Sequence, residues 1–83
     1  MAENRDSIAK ALMEAIAVTM NKPIDQLTED TQLIADLGAK SVNLVRIIGS
    51  MEDEFDLDIS FREFKARKTI RELIDYLVEL QEL

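Results

Sequence analysis

The sequence predicts an all-α fold: a small antiparallel bundle of three long helices plus one short helix, with a long first loop. Three observations carry this. The 83 residues include only two glycines and one proline, so the breaks are few. Apolar residues recur every three or four positions over three separate stretches, the period of a helix with one buried face. Between the first two stretches, from Pro23 to Lys40, that period is lost. The length suits one domain, 1–83, with one small core and a thin stability margin.

The first helix is expected from about Asp6 to Met20. Ile8, Leu12, Ile16 and Met20 form its buried stripe, beside Ala9 and Met13. Asn4 or Asp6 would cap its start, and Asn21-Lys22-Pro23 would end it, because the residue before proline avoids helical geometry. The connection from Pro23 to Lys40 is long for so small a domain, and long loops are usually functional or anchored. Ile24, Leu27, Leu33, Ile34 and Leu37 are expected to pin it across the helices, with a turn near Asp30-Thr31 and a tight turn at Gly38. The second helix should run from Ser41 to Phe55 on a stripe of Leu44, Ile48, Met51 and Phe55, with Ser41 in the capping position. Ser60 then caps a short helix bearing Phe61 and Phe64 that ends near Ala66. Thr69-Ile70-Arg71-Glu72 reads as a capping box opening the last helix, whose apolar face is Ile70, Leu73, Ile74, Leu77 and Leu80.

Composition excludes much chemistry. With no cysteine there is no disulfide and no thiolate. With no histidine the chain lacks the commonest general base near neutral pH and the commonest metal ligand, so Ser-His and Cys-His nucleophile pairs are impossible. No metal site is expected. Paired carboxylates set at helix surfaces, without a strand or a glycine-rich phosphate loop to frame them, do not suggest an enzyme. No apolar run approaches the length of a membrane span, and the first six residues lack the pattern of a signal peptide, so a cytoplasmic monomer is expected. Seventeen acids against ten bases, net −7, disfavour nucleic acid and anionic lipid.

The stretch Asp36-Leu37-Gly38-Ala39-Lys40-Ser41-Val42 resembles the signature of the acyl carrier protein family, in which a D-L-G segment leads to a D-S-L motif at the start of the second helix. The likeness continues through Glu52-Asp53-Glu54-Phe55, Ile59 and Ile74-Asp75-Tyr76-Leu77, and covers about Ile8 to Leu80. It implies a carrier whose Ser41 receives 4′-phosphopantetheine from a phosphopantetheinyl transferase. The arm would hold an acyl group as a thioester for acyl-transferring, ketosynthase-type or related biosynthetic enzymes. The chain departs from the pattern at Lys40, where the family usually has aspartate, and at Val42, where it usually has leucine. Arg46 and Gly49 replace what are commonly an acid and a larger apolar residue on the partner-facing side. These departures point to a specialised carrier rather than the housekeeping one of fatty acid synthesis.

The residues suit that task. Neither His nor Cys is present to attack a thioester, and the cofactor brings its own thiol. A helix N-terminus favours a phosphodiester, and Lys40 adds positive charge beside it. Serine is also among the commonest helix caps, so an unmodified helical interaction module, with Ser41 reduced to a cap, is the alternative. Lys40, Val42, Arg46, Gly49, Glu52 and Asp53 are the candidate partner-binding residues. Val45, Ile48, Ile59, Phe64, Leu73 and Leu77 are candidates for bordering an acyl pocket. Leu44, Phe64 and Leu73 are bulkier than the family tends to have, which would leave little free volume. Arg62, Lys65, Arg67, Lys68 and Arg71 form a basic run broken only by Glu63. Pairing with the acids from Glu52 to Asp58 is expected; the sharper reading is a partner-selective surface.

Overall fold

The computed structural model describes residues 2–83. Four α-helices follow one another: α1 Ala2–Met20, α2 Ser41–Phe55, α3 Phe61–Ala66 and α4 Ile70–Glu82, with a single 3-10 turn at Ile24–Gln26 that the sequence pattern did not signal. The described residues contain no strand, only an isolated antiparallel bridge between Gln32 and Thr69. No helix among them is long and apolar enough to cross a membrane. The chain is therefore all-α, as the spacing predicts.

The expected stripes meet in one core. Ile8, Leu12 and Ile16 from α1 pack with Leu44, Ile47, Ile48 and Met51 from α2, Phe64 from α3 and Ile70, Leu73, Ile74 and Leu77 from α4. The first two helices run antiparallel: Ser7 and Lys10 lie beside Phe55, whereas Val18 and Thr19 lie beside Ser50. The first helix starts at Ala2 rather than near Asp6, so Asn4 and Asp6 lie inside it and do not cap it. Its extra turn is held from outside. The Arg5 guanidinium donates two hydrogen bonds, of 2.8 and 3.1 Å, to the Glu29 carboxylate and lies 3.5 Å from Asp75. At the other end Asn21 adopts a left-handed conformation, and the amides of Asn21 and Lys22 bond back to the carbonyls of Val18 and Ala17. That closes the helix before Pro23.

The later caps follow the sequence. The Ser60 hydroxyl accepts from the Glu63 amide at 3.2 Å. The Thr69 hydroxyl accepts from the Glu72 amide, and the Glu72 carboxylate accepts in turn from the Thr69 and Lys68 amides.

The long loop is anchored by fewer side chains than expected. Leu27 and Leu33 are buried and Leu37 is partly so, but Ile24 and Ile34 face solvent. The reason is the turn over residues 32–38. The amides of Asp36 and Leu37 bond to the Gln32 carbonyl and the Gly38 amide to Ile34, reversing the chain so that Leu33 points in and its neighbour out. Gly38 takes φ +71°, a left-handed conformation that side chains disfavour. Backbone supplies the remaining anchorage. The Ile70 and Arg71 amides, which a helix's first turn leaves without internal acceptors, bond to the carbonyls of Thr31 and Glu29 at 2.9 and 2.8 Å. Arg71 also pairs with Asp30 and lies 3.4 Å from Glu29.

The hydrogen bonds from Arg5, reinforced by the charges of Arg5 and Arg71, hold the Glu29 carboxyl below the usual carboxylate range. A depressed folded pKa stabilises the fold above the unfolded carboxyl's pKa, and that contribution is lost as pH falls through the folded value. Glu29→Gln is therefore expected to lower the urea midpoint at pH 7, by no more than about 1 kcal/mol for so exposed a network. Under strongly acid conditions, where the wild-type carboxylate is also protonated, the two midpoints should converge. A gap that persists there would show that Glu29 acts through packing rather than charge.

Candidate functional site

The turn ending at Gly38 delivers the chain to the start of α2. The Ala39 amide bonds to the Leu33 carbonyl, and Ala39 is buried, so the approach to the helix is fixed from below. The helix begins one residue earlier than the capping pattern suggested. Lys40, not Ser41, holds the cap position, in an extended conformation, and Ser41 is the first helical residue. The physical cause is Asn43, whose side-chain oxygen accepts the Lys40 amide at 2.8 Å. That is the reciprocal half of a capping box, and it fixes the helix start without any serine hydroxyl.

Ser41 is thereby released from the structural duty that serine most often has at such a place. It is exposed, and among the described residues its hydroxyl makes no hydrogen bond. The Leu44 and Asn43 amides turn back to the Lys40 carbonyl, while the amides of Ser41 and Val42 find no acceptor among the described residues. A hydroxyl beside free N–H groups at the positive end of a 15-residue helix is a fit for a phosphate ester. The Lys40 side chain adds a cation next to it.

The candidate partner-binding residues fall largely on one face. Val42, Arg46 and Asp53 are exposed, Gly49 is partly buried, and no heavy atom lies within 4 Å of where a Gly49 Cβ would stand, so the face is shallow there. Val45, a candidate pocket residue, stands on this face as well, 57% exposed like Val42. Glu52 is differently employed: its carboxylate accepts the Ile59 amide at 2.9 Å and ties the end of α2 to the start of the next loop. The other pocket candidates, Ile48, Ile59, Phe64, Leu73 and Leu77, are buried together with Leu44 in the common core. Phe64, the buried residue of α3, is 1% exposed within that core.

The basic run does not pair with the acids from Glu52 to Asp58, as charge alone suggested. Arg67 bonds to Glu63 one turn earlier at 2.6 Å and lies 4.4 Å from the centre of the Tyr76 ring. Arg71 reaches across to the first loop instead. The Arg67–Glu63 pair is a local contact between residues four apart, whereas the partners of Arg71 are set by tertiary packing, which the charge pattern does not contain.

A family model described as phosphopantetheine attachment site matches residues 10–77, a span that includes Ser41 and all four helices in part or whole. The chain belongs to the phosphopantetheine attachment site family. It is also similar to the acyl carrier protein of Buchnera aphidicola subsp. Schizaphis graminum (strain Sg), 26% identical over 72 residues, which cover 87% of this chain and 91% of that protein. As a member of the family the chain is a carrier, not an enzyme, and its cofactor is 4′-phosphopantetheine. A group that arrives by covalent attachment suits a family member with neither cysteine nor histidine, since the thiol is then supplied from outside.

Proposed function

We propose that Ser41 is the attachment residue, and that the chain delivers an acyl intermediate, held as a thioester on the arm, to fatty acid, polyketide or related biosynthetic enzymes. The single observation that supports this most is the state of Ser41: first residue of the helix, exposed, and with a hydroxyl bound to nothing among the described residues. Its oxygen would bond to the phosphorus of the phosphopantetheine half of coenzyme A as the P–O bond to the nucleotide half breaks, the hydroxyl proton passing to the transferase. Free N–H groups at the helix start and the Lys40 ammonium would hold the resulting phosphodiester. The group supplies a thiol when bound. The chain's own contribution is to present the serine, to stabilise the negative charge, and to offer no cysteine or histidine that would cleave a thioester.

Incubation with coenzyme A and a broad-specificity phosphopantetheinyl transferase should add one phosphopantetheine mass to the wild type. Ser41→Ala should abolish the gain. Because Asn43, not Ser41, makes the capping bond, the variant should keep its helical circular dichroism and lose well under the roughly 1 kcal/mol of a true cap removal. A mass gain in the variant, or none in the wild type with several transferases, would refute the assignment.

A further inference from the structure

On the far side of the turn that leads to Ser41 lies a cleft of about 370 Å³. One wall is the loop segment bearing Gln32, Ile34 and Ala35; the other is the junction of α3 and α4, bearing Lys65, Arg67 and Lys68. The two walls are fixed to each other by backbone: the Gln32–Thr69 bridge and the bond from the Ile70 amide to the Thr31 carbonyl. The cleft is therefore formed in advance rather than opened by a ligand, which lowers the ordering cost of binding.

Its chemistry is uneven in a useful way. Ile34 lies 46% exposed, an isoleucine that the fold turns away from the core. Arg67 is satisfied by Glu63 and the Tyr76 ring. Among the described residues neither the Lys65 nor the Lys68 ammonium has a hydrogen bond or an ion pair. The nearby carboxylates are hydrogen-bonded to backbone amides, and of the two lysines Lys68 also feels the charge of Glu72, which leaves Lys65 the less compensated. Asp36 accepts the Gln32 amide at 2.8 Å, and Glu72 accepts the Lys68 and Thr69 amides. On a chain of net charge −7, this is a locally positive rim around an exposed apolar patch.

We infer that the cleft docks a short acidic segment of a partner enzyme, whose carboxylates meet Lys65 and Lys68 and whose apolar side chain covers Ile34 and Ala35. A short segment senses charges within roughly 8 Å at physiological salt, so it feels the lysines more than the acidic remainder. A long polyanion or an anionic membrane spans the whole chain and is repelled by it. The inference rests on the carrier reading only for the nature of the partner; the cleft itself does not involve Ser41.

The test uses the full isotope-labelled chain, titrated by NMR with an amidated peptide alternating glutamate and leucine. Amide shifts should concentrate at residues 32–35 and 65–68, and affinity should fall several-fold as salt rises. Lys65→Glu with Lys68→Glu should weaken binding at least about fivefold at low salt, since two attractions become repulsions. The Ser41→Ala chain should bind the peptide unchanged, which separates this result from the fate of the attachment assignment. Absence of shifts, equal shifts with a lysine-leucine peptide, or occupation of the cleft by phosphatidylglycerol vesicles in place of the peptide would each overturn the inference.

Discussion

Phe64→Ala is expected to lower the free energy of unfolding by about 3–5 kcal/mol and, at the same time, to open the core to an acyl chain. The side chain is almost wholly buried and belongs to a six-residue helix, whose own hydrogen bonds can do little to hold it in place. Removing the ring takes away the main contact between that helix and the core. In the wild type Leu44 and Leu73 are buried in the same core as Phe64, so an octanoyl group on the arm should stay outside. NMR shifts between the arm-bearing and octanoyl forms should then be confined to residues near Ser41. In Phe64→Ala they should extend along α2, α3 and α4, and octanoylation should restore part of the lost stability, roughly 0.8 kcal/mol for each CH₂ that enters. The loss is a large share of what a domain of this size possesses, so Phe64→Leu serves beside it, with a smaller cavity and a smaller effect in the same direction. Extensive shifts in the wild type would mean that the chain enters without any help and that the packing described here yields to it.

Reversing two cations beside Ser41 should speed loading by a generic transferase, by about tenfold at low salt. Lys40 and Arg46 are exposed and, among the described residues, without ion-pair partners, on the face next to the serine. Where a partner docks through basic residues, each of these costs attraction and adds repulsion. Lys40→Asp with Arg46→Glu removes both. The structure adds a control for stability. Lys40 occupies the cap position without a side-chain bond to the helix, and aspartate is among the best caps, so the double variant should be no less stable than the wild type. Initial rates of mass gain at two salt concentrations test the idea, because the advantage should shrink as exposed charges are screened. An unchanged or slower rate would leave the two cations without a role in partner choice.

What could be read from the sequence divides along a physical line. Ser60 and Thr69 were legible as caps because a cap is a local bond between a side chain and an amide three residues on. Leu12, Ile48 and Leu77 were legible as core because helix geometry puts such spacings on one face. Ser41 was legible as special but was placed one residue wrong, since Asn43 bonds backward and nothing in a serine reveals which neighbour has taken over its duty. Ile24 and Ile34 were misjudged for a different reason. In a loop the direction of a side chain follows from turn hydrogen bonds, and no period announces them. The partners of Arg71 belong to the same class, fixed only once α4 meets the first loop.

The bonds from the Ile70 and Arg71 amides to Thr31 and Glu29 bear on the order in which the chain can assemble. They join the start of the last helix to a segment far upstream, across the whole of α2 and α3. Closing so long a loop is paid in entropy before any contact rewards it. The hydrogen bonds inside α1 and α2 are local and can form early, whereas the first turn of α4 is completed only when the long loop arrives. A bundle of purely local contacts would place this chain among fast folders; this closure, together with the packing of α1 on α4, raises its contact order and should slow the final step.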